Sequence, residues 1–323
     1  MKSTLLLVLV LHLSSLLASV DLKMAVLVPE DTTWGESLKK FAKEVELSTK
    51  GEVKFKIYYG GVAGDEPDVL RKVRVGQMNG GIFTGKILGE IQGDLRVMEI
   101  PFSFYKNREK AWGTLQKLTP EFNKALASKG FINLGFYEVG QVYLISSKKV
   151  ENLESLKGLK IWAWEGDPLV AAMLESMKLV SVPLSITDVL SSLSTGIIDS
   201  AYSSPLGILA LQWHSKVKYL LDFPLAYSIG ALLINQKDWK KIKPDVQAKI
   251  ISIAEKFVEE ANQQTVKENE QAKDQLKKIG IEFLSFPQKD YDHATSLRAE
   301  VINKLKNKIF SQKALDSFEG HRK

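Results

Sequence analysis

Two tryptophans lie two residues apart at the end of a short apolar segment, residues 158–168, which reads GLKIWAWEGDP. Trp162 and Trp164 share one face of the strand that this segment predicts, and Glu165 follows them directly. A tryptophan offers a large apolar surface and one N–H donor. The chemistry that this spacing favours is therefore the binding of a ligand against aromatic rings.

Other aromatic and polar residues fall near the ends of predicted strands. In an open α/β sheet, ligands bind outside the carboxyl ends of the strands, and an apolar pocket with a few polar groups is the usual form of such a site. Ordinary core packing stays open as the alternative for each aromatic residue taken alone. We expect the following residues to line the site: Trp34, Phe83, Tyr137, Gln141, Trp162, Trp164, Glu165, Tyr202, Ser203, Ser204, Trp213 and Tyr227.

Catalytic patterns have little support in this sequence. The stretch GGIFTGKI, residues 80–87, nearly matches a phosphate-binding loop, but Ile87 stands where the motif needs Ser or Thr. His214, His293 and His321 are far apart, and no H-x-x-x-H or G-x-S-x-G pattern occurs. We therefore expect no enzyme activity, no metal and no cofactor. A secreted hydrolase remains the alternative from another class, with its carboxylates drawn from Glu165, Asp188 and Asp199.

The first twenty residues have the pattern of a secretory signal peptide. Lys2 is followed by an apolar stretch and by small residues near position 19. The chain has no cysteine, which excludes a lipid anchor, disulfides and thiolate metal sites. We expect export to the periplasm with cleavage of residues 1–20. The net charge of +6 is spread among acidic residues, which argues against a nucleic-acid partner.

The order of predicted elements indicates an α/β fold. The first half of the chain alternates strands and helices, which predicts a largely parallel sheet. The segments FINLGFYEVG and QVYLISS are each predicted as a strand, Asp167 and Pro168 as a helix start, and Thr33 as the cap of an earlier helix. The periodic segment from Pro244 to about Lys278 predicts a helix long enough to cross from one domain to another.

Several stretches together resemble one family. They are WGESLKKFAKEVELSTKGEVKFKIYYGG, LRKVRVGQMNGGI, LESLKGLKI, PLSITDVLSSLSTGIIDSAYSSP, KYLLDFP and KDWKKIKPDVQAKI. In this order they resemble the DctP-type solute receptors of tripartite ATP-independent periplasmic (TRAP) transporters. The resemblance implies a two-lobed clamshell with a long helix spanning both lobes, closure over one solute, and delivery to TRAP membrane permease subunits. We expect one lobe to hold residues 21–138 plus 226–265, and the other to hold 139–225 plus 266–323.

The resemblance also bears on the ligand. Typical members place an arginine after GLKI to bind the carboxylate of the solute, and Trp162 stands there in this chain. The second polar anchor of typical members, usually an asparagine, falls near Ser203 and Ser204, so neither anchor is kept in this chain. We therefore expect an apolar or amphipathic, lipid-like solute, with an organic acid as the alternative. One branch of the family, which works with a periplasmic tetratricopeptide-repeat protein, is similar in this region and implies such a partner.

Overall fold

The computed structural model describes residues 19–322, apart from the side chain of Thr295. The predicted signal peptide therefore lies almost entirely outside the described residues. The strands are β1 (Val20–Ala25), β2 (Val53–Tyr58), β3 (Gly80–Thr84), β4 (Phe131–Ser146), β5 (Lys160–Trp164), β6 (Val180–Leu184), β7 (Ser200–Ser203), β8 (Tyr219–Leu221), β9 (Ala226–Asn235) and β10 (Glu282–Leu284).

The helices cover both sides of this sheet. They are α1 (Thr33–Ser48), α2 (Glu66–Arg74), α3 (Gly85–Ile91), α4 (Arg108–Ser128), α5 (Pro168–Ser176), α6 (Val189–Thr195), α7 (Pro205–Ala210), α8 (Gln236–Trp239), α9 (Pro244–Lys278), α10 (Gln288–Leu305) and α11 (Gln312–Arg322). Short 3-10 helices cover Gly93–Glu99, Glu154–Leu156, Ile186–Asp188 and Trp213–Lys216. Among the described residues, no helix combines the length and the apolar composition that a membrane span needs.

The strands form one sheet with the order β2-β1-β3-β9-β4-β7-β5-β6, and β8 joins it between β4 and β10. The strand β4 pairs with β9 up to Val142 and with β7 from Tyr143 onward. It therefore connects two halves of the sheet. We call β1, β2, β3 and β9 the first half-sheet, and β5, β6, β7, β8 and β10 the second half-sheet.

The α/β fold is confirmed, but the sheet is mixed rather than largely parallel. The pairs β1–β2, β1–β3, β5–β6 and β5–β7 are parallel, whereas β3–β9, β4–β9 and β4–β7 are antiparallel. The two strands predicted on either side of Gly140 are one strand, β4. A register shift between Glu138 and Gly140 lets the strand continue through the glycine, whose φ is 106°. Such a bulge bends a strand without ending it.

The long helix α9 is confirmed from Pro244 to Lys278. It packs on β4, on α1 beside the first half-sheet, and on α7 beside the second. Two buried asparagines join it to the backbone of β4. Asn262 accepts the Glu138 N–H at 2.7 Å and donates to the Phe136 carbonyl at 3.0 Å, and Asn269 donates to the Val139 carbonyl at 3.2 Å. The helix therefore supports the strand at the point where the sheet passes between its halves.

Helix starts follow local capping chemistry. Asp167 caps α5, since its carboxylate accepts the N–H groups of Leu169 and Val170. The predicted cap Thr33 is wrong by one residue. The hydroxyl of Thr32 accepts the Gly35 N–H at 3.1 Å, and the helix begins at Thr33.

The assignment of residues to two lobes stays a prediction. The C-terminal helix α11 packs on α4, and α10 packs on α5.

Candidate functional site

A cavity of about 220 Å³ lies between the two half-sheets. Its wall takes residues from the ends of β1 and β3 on one side and from β5, α5 and β7 on the other. Strands β4 and β9 contribute Val142 and Ser228 to its lining. Because both half-sheets contribute, any relative movement of the two halves would change the shape of the cavity.

Aromatic rings form one wall of the cavity. The ring of Trp162 stacks on Tyr202, with centroids 4.8 Å apart and planes 23° from parallel. It also meets Trp213 edge-on at 5.4 Å, and Trp164 lies 6.0 Å away. Its indole N–H donates to the Leu184 carbonyl at 3.0 Å. Trp162 is therefore only 2% exposed and is fixed by packing and by its own hydrogen bond.

A buried charge cluster forms a second wall. Both terminal nitrogens of Arg96 donate to Oδ2 of Asp167 at 3.1 Å, and Nε lies 2.9 Å from Oε2 of Glu99. Burial disfavours the charged guanidinium, but the two carboxylates more than offset this, so the pKa of Arg96 is raised. Burial also raises the pKa of Glu99, although Arg96 opposes the change.

The protein holds both carboxylates of this cluster in place. Asp167 uses its other oxygen to cap α5. Oε1 of Glu99 accepts hydrogen bonds from Ser228 Oγ at 2.6 Å and from the Ile229 N–H at 3.4 Å. A Cβ at position 85 would meet Glu99 Oε2 at 1.9 Å, so Gly85 is required by the close approach of this side chain.

Lys86 is the second cation of the lining. Its ammonium lies 5.8 Å from the centre of the Trp164 ring, within the range of a cation–π contact. Throughout residues 19–322, no carboxylate oxygen lies within ion-pair distance of it. The side chain is half-buried, so its charge is less well solvated than that of a surface lysine. Lys86 is thus placed to pair with an anion in the cavity.

Glu66 also lines the cavity and is 3% exposed. Its two oxygens lie 2.8 Å from the Thr84 N and 2.9 Å from the Thr84 Oγ1. Burial raises its pKa to about 8, because removal from water penalises the ionised form more than these hydrogen bonds favour it. Glu66 is therefore mostly protonated at neutral pH.

The structure brings together half of the residues expected from the sequence. Those that line the cavity are Trp162, Trp164, Tyr202, Ser203, Ser204 and Trp213.

The other expected residues lie elsewhere. Phe83, Tyr137 and Tyr227 are at most 1% exposed in the core, and Glu165 is exposed to solvent. Trp34 packs on Tyr137 and donates to Thr265 Oγ1 at 2.7 Å. Gln141 donates to the Phe104 carbonyl and lines a smaller cavity of about 70 Å³.

The charged residues of the cavity were not predicted as site residues. Arg96 and Glu99 stand in the apolar stretch LRVMEIP, and charges that interrupt such a stretch are a signal of a buried polar cluster. Lys86 lies in the stretch GGIFTGKI, which does not match a phosphate-binding loop because Ile87 stands in the place of Ser or Thr. Asp167 was recognised as a cap, and its sequence gives no sign of its pairing with an arginine 71 residues away.

A mixed sheet in two halves, with an aromatic cavity between them and one helix supporting both, defines a solute-binding protein of the periplasmic clamshell class. Residues 24–309 match the family described as "DctP: Bacterial extracellular solute-binding protein, family 7". The chain belongs to this family. Its members are the periplasmic receptors of TRAP transporters, so the protein is a transport receptor that binds a small solute and works with a TRAP permease. It is not an enzyme, and the hydrolase alternative is excluded.

Three relatives illustrate the similarity. A solute-binding protein of Chromohalobacter salexigens is 32% identical over 169 residues, which cover 52% of this chain and 50% of that protein. A TRAP periplasmic solute-binding protein from Sulfitobacter sp. NAS-14.1, solved with bound β-D-galacturonate, superposes with a TM-score of 0.84 at 22% identity, covering 94% and 99% of the two chains. One from Haemophilus influenzae, solved with bound L-gulonate, gives 0.85 at 20% identity, covering 93% and 98%.

Proposed function

We propose that this receptor binds an organic acid and delivers it to a TRAP permease. The observation that carries the proposal is the position of Lys86. Its ammonium faces a largely apolar cavity and has no carboxylate partner among the described residues. A half-buried cation of this kind is stabilised by an anionic ligand, and a charge-assisted hydrogen bond to it contributes about 1.5–3 kcal/mol.

The expectation of an apolar, lipid-like ligand is not supported, and the organic-acid alternative fits better. That expectation rested on the replacement of a ligand-binding arginine by Trp162. In the structure the ring of Trp162 is enclosed by Tyr202 and Trp213, and its N–H is already bonded. The two structural relatives with bound sugar acids also support an acid. The tetratricopeptide-repeat partner stays a prediction.

The rest of the cavity suits the carbon body of an acid. Apolar side chains such as Val28, Met173 and Ile186 supply surface for its C–H faces. Ser203 and Ser228 belong to the same lining; the Ser203 hydroxyl can donate to a substituent, whereas the Ser228 hydroxyl, which donates to Glu99, can only accept. We therefore place the carboxylate at Lys86 and the body of the ligand toward the aromatic wall.

Calorimetry on the purified protein tests this proposal. The probes are D-galacturonate, L-gulonate, orotate and benzoate, with dodecanol as an uncharged apolar probe. For the acid that binds, Lys86→Gln should weaken the affinity about 10- to 100-fold, since the charge-assisted contact is lost. Lys40→Gln, a change at an exposed lysine of α1, is the matched control and should leave the affinity unchanged.

Two outcomes would contradict the proposal. One is binding of dodecanol with no binding of any acid. The other is an acid affinity that stays the same in Lys86→Gln while the variant keeps its fold by circular dichroism.

A further inference from the structure

We infer that the cavity selects acids with a single carboxylate, because Asp167 and Glu99 already occupy Arg96, the other cation of its wall. This inference rests on the proposed function and names the class of acid within it. It makes Asp167 and Glu99 residues that determine specificity without forming the main contact with the ligand.

The geometry of Arg96 supports this conclusion first. An arginine that binds a ligand carboxylate uses two parallel N–H donors along one edge of its planar group. Here both terminal nitrogens already donate to Oδ2 of Asp167, and Nε lies 2.9 Å from Oε2 of Glu99 in an ion pair that lacks hydrogen-bond geometry. The side chains of all three residues are 9% exposed or less. A second ligand carboxylate would have to displace one of these buried partners.

The fixed positions of the two carboxylates support it next. Asp167 cannot turn away from Arg96 without losing its cap on α5, and Glu99 is held by Ser228 and packed against Gly85. Displacing either one would leave a buried charge without its partner, which is strongly unfavourable. Arg96 is therefore not free for a ligand in this arrangement.

The balance of charges in the cavity also favours a ligand with one carboxylate. With Glu99 ionised, the cluster of Arg96, Asp167 and Glu99 has one negative charge, and with Glu99 protonated it has none. Lys86 adds one positive charge, and Glu66 is mostly neutral at pH 7. One ligand carboxylate thus meets one unpaired cation. A second would lie near Asp167 and Glu99 and be repelled in surroundings of low dielectric constant.

The experiment compares matched acids by calorimetry at pH 7. Three pairs share a carbon body and differ in their second carboxylate: D-gluconate with D-glucarate, pentanoate with glutarate, and benzoate with terephthalate. In the pair that binds to the wild type, we expect the dicarboxylate to bind at least tenfold more weakly than the monocarboxylate.

Asp167→Asn provides the sharper test. The amide oxygen keeps the cap on α5, whereas the negative charge that Asp167 places beside Arg96 is lost. We expect the affinity ratio of dicarboxylate to monocarboxylate to rise at least tenfold. Glu99→Gln, which keeps the contact with Ser228, should shift the ratio in the same direction and covers the case that Asp167→Asn does not fold. Lys86→Gln should lower the affinity for both acids of a pair.

The outcomes separate the two proposals. Equal affinity of the wild type for both acids of a binding pair would overturn the selection for one carboxylate and leave the acid receptor standing. An unchanged ratio in both folded variants would overturn the roles of Asp167 and Glu99. Failure of every acid to bind would remove the proposed function and this inference with it.

Discussion

At the scale of single residues, the cavity combines groups whose ionisation depends on burial. Glu66 is the strongest example, because its carboxyl is enclosed and, within residues 19–322, has hydrogen bonds only to Thr84. A carboxyl whose pKa is raised on folding keeps a proton that the unfolded chain has lost. The folded state is therefore weakened as pH rises between the ordinary pKa of 4.5 and the folded value of about 8.

Glu66→Gln should remove this dependence. The amide can donate to the Thr84 hydroxyl and accept the Thr84 N–H, so the packing is kept. Relative to the variant, the wild type should lose free energy of unfolding by up to about 1.4 kcal/mol per pH unit across that window, and the difference should level off above pH 8. Urea unfolding at pH 5, 6.5, 8 and 9 measures it. Parallel curves for wild type and variant would refute the prediction. Glu121→Gln, at an exposed position, is the control.

A second prediction at this scale concerns Gly85. Gly85→Ala places a methyl group where Glu99 Oε2 lies, so the carboxylate must move away from Arg96. We expect a loss of about 1–3 kcal/mol of stability through overpacking, together with altered acid affinity. Thermal unfolding and calorimetry measure the two effects. Gly113→Ala in α4 is the control, because a Cβ at that position meets nothing within 4 Å. Equal stability of the two variants would contradict this prediction.

At the scale of elements, the junction of α9 with β4 supports the crossing between the half-sheets. Asn262 satisfies the Glu138 N–H and the Phe136 carbonyl, which are backbone groups beside the bulge of β4. In residues 136–138, β4 pairs with β9 along one edge, and β7 pairs with β4 only from Tyr143 onward, so the helix side chain supplies hydrogen bonds that a strand along the other edge would supply.

Asn262→Ala should therefore destabilise the protein by about 2–4 kcal/mol, since two buried backbone groups lose their partner. The neighbouring Gln263 is exposed, and Gln263→Ala should change the free energy of unfolding by less than about 0.5 kcal/mol. Urea unfolding of both variants gives the comparison. A loss below 1 kcal/mol for Asn262→Ala would show that water or backbone adjustment satisfies these groups.

At the scale of the whole molecule, hydrogen bonds cross the mouth of the cavity. Oδ2 of Asp65, at the start of α2, accepts bonds from the Trp164 indole N–H at 3.3 Å and from Ser185 Oγ at 3.0 Å. Asp65 lies beside the first half-sheet, and Trp164 and Ser185 belong to the second. Together with the pair of Arg96 and Asp167, these bonds connect the two halves of the molecule across the cavity.

Ser185→Ala tests this role without changing the cavity lining. We expect the loss of one cross-cavity bond, worth about 1 kcal/mol, to weaken ligand affinity about fivefold through faster dissociation. Ser194→Ala changes an exposed serine of α6 and should have no effect. Stopped-flow binding kinetics measure the dissociation rate. Equal dissociation rates in the two variants would show that closure does not depend on this contact.

Features that depend on near neighbours follow from the sequence alone. The periodicity from Pro244 to Lys278 predicted α9, and Asp167 before Pro168 predicted the start of α5, because apolar spacing and capping act within a few residues. The resemblance of ordered segments also predicted the family.

Which side chains meet depends on the tertiary structure. Alternation along a strand says that Phe83 and Trp162 each face one side of the sheet, but the packing of other elements decides that Phe83 is in the core and Trp162 lines the cavity. In the same way, Arg96 acquires Asp167 only when the start of α5 meets the 3-10 helix Gly93–Glu99, across 71 residues of chain. This long-range contact decides whether the positive charge of Arg96 is free or neutralised. The local sequence around Arg96 does not encode such a contact.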